Sequence, residues 1–108
     1  MACVDHLLDQ CAPICYEMGF MDRAIDAIQQ AVALCDANAE LVTYRRKRFD
    51  AYLFLARVCA DAGDYIRNAE IYDMLETHRA DSPFFLDDAR PLCPREVREK
   101  AEAQRGGN

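Results

Sequence analysis

Six cysteines are the residues of this 108-residue chain best suited to chemistry, through a bound metal or a disulfide. No Cys-x-x-Cys pair occurs, and Cys11-x-x-x-Cys15 has only Cys3 and His6 nearby to complete a ligand set. Structural zinc normally needs four ligands, usually in closely spaced pairs. We therefore predict core cysteines, no metal site and no cofactor, and we keep a metal-binding or redox protein and a disulfide as alternatives.

The two histidines offer little support for catalysis. His6 and His78 lie far apart in the sequence, and neither adjoins a serine or cysteine in a recognisable nucleophile arrangement, although such groups need only meet in space. The glycines form no phosphate-binding loop. His78 lies near a predicted helix end, where its cation would be favoured by the helix dipole. We predict that the protein is not an enzyme.

Composition and charge exclude several classes of protein. With 52% hydrophobic and 30% charged residues, the chain is typical of one folded domain. The net charge of −6 argues against nucleic acid as the main ligand, because phosphate binding needs a basic surface. No apolar run is long enough to insert into a membrane, and the N-terminus lacks the pattern of a secretory signal. An intracellular location follows, in the cytoplasm or the nucleus.

A run of four basic residues, Arg45-Arg46-Lys47-Arg48, interrupts an otherwise acidic first half. Such a run can pair within the chain, bind an acidic segment of a partner, form a solvated helix face or act as a nuclear-import signal. We carry Arg45, Arg46 and Arg48 forward as candidate partner-binding residues.

The chain contains an internal repeat. Gly19-Phe20-Met21-Asp22-Arg23-Ala24-Ile25 opens an apolar helical pattern, and the stretch from Gly63 to Ala69 opens a similar one forty-four residues later. Each glycine also ends a preceding helical pattern. Each copy is therefore predicted to be a helix–turn–helix unit that buries its faces against its neighbours.

These residues resemble the tetratricopeptide repeat, a family of paired antiparallel helices. The matching positions are Ala12, Gly19, Ala24, Ile28 and Ala31 in the first copy and Ala56, Gly63, Asp64, Tyr65 and Tyr72 in the second. The second copy departs from the motif, with Asn68 at one small position and Leu75 at another. The resemblance covers about residues 5–80.

The predicted fold is all-α, with two stacked helical hairpins in residues 1–80 and a capping or tail segment in residues 81–108. The helices are expected at about residues 3–18, with a kink or a new start at Pro13, and at 20–35, 39–62, 65–77 and 95–104. Ser82-Pro83 resembles a further helix start. Positions expected to face inward include Ala24, Ile28, Leu41, Ala56, Tyr65, Ala69, Tyr72 and Leu75.

The resemblance implies a non-enzymatic interaction module whose first helices hold a peptide or helix of a larger assembly on a concave face. That face would carry His6, Asp9, Tyr16 and Glu17 from the first unit and Asp50, Leu53, Arg57 and Asp61 from the second. The groups with which one subclass clamps chaperone carboxyl termini are missing. A small dedicated chaperone for a secreted or assembling subunit is the alternative function.

Two units are fewer than such arrays usually need, so other surfaces must cover the exposed helix faces. The candidates are the outer stripe of the first helix and the apolar triplet Phe84-Phe85-Leu86. We expect a homodimer or a protein partner to cover them, unless the C-terminal segment folds back onto the second unit through Phe84 and Phe85.

Overall fold

Five helices and a short 3-10 turn make up the part of the chain described by a computed structural model, residues 3–82 and 92–106. The helices are α1, which combines Val4–His6, Leu7–Cys11 and Ala12–Glu17, then α2 (Met21–Ala37), α3 (Val42–Asp61), α4 (Tyr65–Thr77) and α5 (Arg95–Arg105). The 3-10 turn is Arg79–Asp81. The described residues form no strand, so the all-α prediction is confirmed.

Pro13 shapes the first helix. The preceding segment, Leu7–Cys11, is a π-helical turn, and Pro13 lies in the first turn of the α-helical segment Ala12–Glu17. A proline ring clashes with the carbonyl four residues earlier, here that of Asp9, and cannot donate a hydrogen bond to it. The wider π-turn relieves that clash. The backbone stays helical at Cys11 and Ala12, so the first helix continues through Pro13 and the alternative of a new helical start there is wrong.

Two glycines end α1 and α3 in the same way. Gly19 and Gly63 have φ values of 82° and 79°, in the left-handed region that favours glycine. The Phe20 amide donates to the Cys15 carbonyl at 2.8 Å, and the Asp64 amide donates to the Cys59 carbonyl at 2.9 Å. These bonds satisfy carbonyls that a helix end leaves open. The predicted repeat thus has the same turn in both copies.

One apolar core joins the helices. Each helix packs against the next, α1 on α2, α2 on α3, α3 on α4 and α4 on α5. The buried stripe of α2 has helical spacing and consists of Ala24, Ala27, Ile28, Ala31, Val32 and Cys35. The assembly measures 43 × 36 × 19 Å, and its short dimension fits two layers of helices.

Several inward positions differ from the prediction. Leu41 precedes α3 and is 50% exposed. Along α4 the buried residues are Asn68, Ile71 and Leu75, whereas Tyr65, Ala69 and Tyr72 are only half-buried. The prediction for α4 is therefore confirmed for Leu75 and wrong for Tyr65, Ala69 and Tyr72, since Asn68 and Ile71 occupy the buried face instead. Ala24, Ile28 and Ala56 are buried as predicted.

The helix α5 is attached to the second hairpin mainly by polar contacts. The side-chain oxygen of Gln104 accepts hydrogen bonds from the Tyr65 and Ile66 amides, and its nitrogen donates to the Gly63 carbonyl at 2.7 Å. Ala101 is buried beside these contacts. The sequence indicated weak packing here because it offered only Val97 and Ala101 as apolar anchors. The contacts of Gln104 could not be predicted in this way, because a single polar side chain leaves no apolar periodicity in the sequence.

Two predictions concern residues beyond this description. Phe84, Phe85 and Leu86 lie outside the described residues, as does Pro83, so the predicted anchors and helix start there stay predictions. None of the helices in residues 3–82 and 92–106 has both the length and the apolar character needed to cross a bilayer.

Candidate functional site

Helices α1 and α3 lie side by side and are tied together through Tyr16. The Tyr16 hydroxyl donates a hydrogen bond to the Asp61 carboxylate, and its ring packs edge-on against Phe54 with centroids 5.7 Å apart. The Arg57 guanidinium lies 5.7 Å from the same ring centroid. The bond to Asp61 raises the pKa of Tyr16 above its usual value, so its phenol stays protonated. Tyr16 is therefore a fixed element of this face.

A hollow of about 540 Å³ opens beside Tyr16. Its lining residues are Pro13, Tyr16, Glu17, Leu53, Phe54 and Arg57. The structure thus brings together four of the predicted partner-binding residues, Tyr16, Glu17, Leu53 and Arg57. Glu17 and Arg57 are exposed, and Leu53 is half-buried.

A second hollow, of about 330 Å³, continues along the same two helices. Its lining residues are Asp5, Leu8, Asp9, Lys47, Asp50 and Phe54. Phe54 borders both hollows, so we describe them together as the α1/α3 groove. Its floor consists of Leu8, Pro13, Tyr16, Leu53 and Phe54, and its rim consists of Asp9, Glu17, Asp50 and Arg57. His6 is exposed and lines neither hollow.

The groove carries more acid than base. The Lys47 ammonium donates to the Asp5 carboxylate at 2.7 Å, and this bond raises the pKa of Lys47. Partial burial raises the pKa of Asp50, because desolvation disfavours its charged form. Within the described residues, no ion pair engages Asp9, Glu17 or Asp50. The rim therefore has three carboxylates that no cation of the described chain neutralises.

The basic run mostly serves the fold. Arg45 pairs with Asp81 at 3.2 Å and donates to the Ala39 carbonyl at 2.7 Å. Arg48 is only 8% exposed and pairs with Asp36 at 2.8 Å. Of the interpretations open from the sequence, pairing within the chain describes these two arginines.

These contacts bear on the candidate docking surface. Because Arg45 and Arg48 are already paired with carboxylates, binding an acidic partner would require breaking those pairs. Their role as partner-binding residues stays a prediction. Arg46 is exposed, and its role stays a prediction.

His78 is neutral rather than cationic at neutral pH. Its Nδ1 lies 3.2 Å from Nη2 of Arg48, and its ring is stacked on Tyr52. Burial and the neighbouring Arg48 charge lower the pKa of His78, and the Asp81 carboxylate opposes them. The interpretation of His78 as a cation favoured by the helix dipole is therefore wrong.

The cysteines divide by burial. Cys35, Cys59 and Cys93 are buried, and burial raises the pKa of each of these thiols, which makes them poor nucleophiles. Cys15 is only half-buried, unlike Cys59 at the same place in the second unit. Residues 3–82 and 92–106 contain no cluster of histidine, cysteine and acidic side chains suited to a metal ion.

Sequence reasoning missed two residues of the groove floor, Leu8 and Phe54, and Phe54 is the more instructive case. It borders both hollows, yet the tetratricopeptide resemblance pointed to its neighbour Leu53. Residues three or four apart share a helix face, and Phe54 lies four residues after Asp50 and three before Arg57. That spacing is the signal that would have identified it.

Comparisons with known proteins supply no assignment: no protein-family model, no curated protein and no solved structure matches this chain. The resemblance to the tetratricopeptide repeat therefore stays a prediction.

Proposed function

We propose that the protein is a non-enzymatic interaction module that holds a peptide or helix of another protein in the α1/α3 groove. The observation that carries this proposal is the groove itself. Its two hollows, of about 540 and 330 Å³, share Phe54 and run along α1 and α3, which lie side by side. Helix-in-groove recognition uses an apolar floor for anchoring side chains and a polar rim for orientation.

The floor is held in shape before any partner binds. Tyr16 is fixed by Asp61, Phe54 and Arg57, and Lys47 joins α3 to α1 through Asp5. A preorganised surface loses little conformational entropy on association, which leaves more of the contact energy for affinity. This rigidity favours a docking surface over a solvated helix face.

Site-specific crosslinking tests the proposal. A photoreactive phenylalanine replaces Leu53 in the groove or, as the matched control, Met74, an exposed apolar residue lining a different hollow between α2, α3 and α4. In cells that naturally make the protein, position 53 should crosslink to a partner that position 74 does not reach. Equal crosslinking at both positions, or crosslinking at position 74 alone, would contradict the proposal.

The chaperone alternative predicts a different outcome of the same experiment. A dedicated chaperone would crosslink at position 53 to one abundant small client, whereas an adaptor would crosslink to a component of a larger assembly. Both functions place the partner in the same groove.

A further inference from the structure

We propose that the occupant of the α1/α3 groove is a positively charged amphipathic segment of a partner protein. Its apolar side chains would lie on the groove floor, and its lysine or arginine side chains would meet the acidic rim. This inference rests on the proposed function and adds the chemical class of the partner.

The size of the groove fits a short helix. The first helix spans residues 4–17, a length of about 20 Å at 1.5 Å per residue, and both hollows lie along it. A partner helix of about fourteen residues matches that length. Its apolar residues at helical spacing would face Leu8, Leu53 and Phe54, which are each half-buried and so still offer apolar surface.

The charge of the rim determines which sign of charge the partner segment should carry. Asp5 is neutralised by Lys47, and Asp61 accepts the Tyr16 hydroxyl. Asp9, Glu17 and Asp50 have no ion pair within the described residues, and Arg57 is the one cation on the rim. Charges of opposite sign across an interface steer association and select the partner, so this rim favours lysine and arginine.

The smaller hollow suits a long cationic side chain. Leu8 and Phe54 form apolar walls, and Asp9 and Asp50 stand at its edge. A lysine or arginine lays its methylene stem on apolar surface and keeps its charge at a polar edge. The partial burial of Asp50 adds to this preference, because a neighbouring cation stabilises a carboxylate that desolvation has disfavoured.

An acidic occupant fits less well. Arg57, the cation on the rim, already lies over the Tyr16 ring, and three carboxylates would repel an incoming acid. A second copy of this chain is also disfavoured as the occupant, because each copy has a net charge of −6.

Selection from a peptide library tests the inference on the intact chain. Random peptides of about fourteen residues, displayed on yeast, are sorted for binding to the wild-type protein. Peptides are kept when they fail to bind a Leu53→Glu variant whose circular dichroism matches that of the wild type. Should Leu53→Glu alter the fold, Leu53→Ala serves in its place.

The enriched peptides should carry net positive charge with apolar residues at helical spacing. Their affinity should fall about ten-fold in Asp9→Asn/Asp50→Asn and should weaken as salt is added. The matched control is Asp22→Asn/Asp73→Asn, which makes the same charge change at exposed positions outside the groove and should leave the affinity unchanged.

Each other outcome overturns a defined part of the argument. Neutral or acidic peptides that still require Leu53 would overturn the charge of the partner and leave the groove as a binding site. If Asp9→Asn/Asp50→Asn and Asp22→Asn/Asp73→Asn lowered the peptide affinity equally, the net charge of the protein, rather than the rim, would drive binding. Selection that yields no peptide dependent on Leu53 would overturn both the inference and the proposed function.

Discussion

The two helical hairpins, α1–α2 and α3–α4, share one turn but differ in what they bury. Ala12 and Ala56 are 0% and 1% exposed at equivalent positions before the glycine, so both hairpins use a small residue for close helix contact. After the glycine, the first hairpin buries Ala24, whereas the second buries Asn68, whose Oδ1 has no hydrogen-bond partner among the described residues.

The hairpins also differ in how their second helices begin. The first helical turn of α4 is capped by the Asp64 side chain, which accepts from the Arg67 amide at 3.1 Å, and again by Gln104 from α5. At the equivalent position α2 has Phe20, which provides no side-chain cap. The two hairpins thus share their backbone turn through the glycine and the small residue that precedes it. Where the sequence of the second hairpin differs from that of the first, α5 packs against it through Gln104.

The largest expected effect comes from enlarging the shared small position. Ala56→Leu and Ala12→Leu should each lower the free energy of unfolding by about 1–3 kcal/mol, because extra methylene groups overpack a full contact. Chemical denaturation measures the change, and Ala33→Leu at an exposed position of α2 is the matched control. If Ala12→Leu had no effect while Ala56→Leu did, the two hairpins would not be equivalent.

Exchanging the divergent residues sharpens the comparison. Ala24→Asn should destabilise the protein by about 1–3 kcal/mol, because it buries an amide without partners in the first hairpin. Asn68→Ala should stabilise it by about 1 kcal/mol, because an unsatisfied carbonyl oxygen is removed. Destabilisation by Asn68→Ala would mean that the amide is satisfied, for instance by a buried water.

The repeated turn could be predicted because its signals are local. A glycine after one apolar stripe and before another is enough to locate the turns at Gly19 and Gly63, and the predicted bounds of α4 agree with the structure. The predicted inward face of α4 was right for Leu75 and wrong for the two tyrosines, because large apolar rings suggest core positions whereas the structure buries the smaller Asn68 and leaves Tyr65 and Tyr72 half-buried.

The pairing of charges was less accessible to sequence reasoning. Arg45 and Arg48 meet Asp81 and Asp36 from other elements, and no periodicity links residues so far apart in the chain. The same limit applies to Gln104, whose position at the turn of the second hairpin depends on how α5 docks. Asp9, Tyr16 and Glu17 on α1 were predicted through the resemblance, whereas Leu8 and Phe54 were missed because that resemblance favoured one residue per helical turn.

The two glycines should respond equally to substitution. Gly19→Ala and Gly63→Ala should each cost about 1–2 kcal/mol, because a left-handed backbone is strained for a residue with a Cβ atom. Apart from the two chain neighbours, no heavy atom of the described residues lies within 4 Å of the added Cβ at either position, so the cost is that of the backbone alone. Gly63→Asn is the control and should cost less than Gly63→Ala, because asparagine tolerates this conformation better. Thermal denaturation monitored by circular dichroism measures the stability of each variant. Clearly unequal losses of stability in Gly19→Ala and Gly63→Ala would show that the two turns are not equivalent.

The smallest effect distinguishes the histidines of the two hairpins. His6 is exposed in the first, whereas His78 is half-buried after the second, between Arg48, Asp81 and Tyr52. Because the pKa of His78 is lowered in the folded state, the unfolded chain binds its proton more readily. The stabilising contribution of neutral His78 is therefore complete above the ordinary histidine pKa of about 6.5 and is lost as the pH falls through the lowered folded value.

Replacing each histidine by glutamine tests this difference. His78→Gln should reduce the loss of stability between neutral pH and about pH 5, because one protonation linked to unfolding is removed. His6→Gln is the matched control, because it makes the same change at an exposed histidine of the first hairpin. Urea denaturation at a series of pH values measures the slopes. An unchanged slope in His78→Gln would show that His78 does not govern the acid sensitivity of the protein.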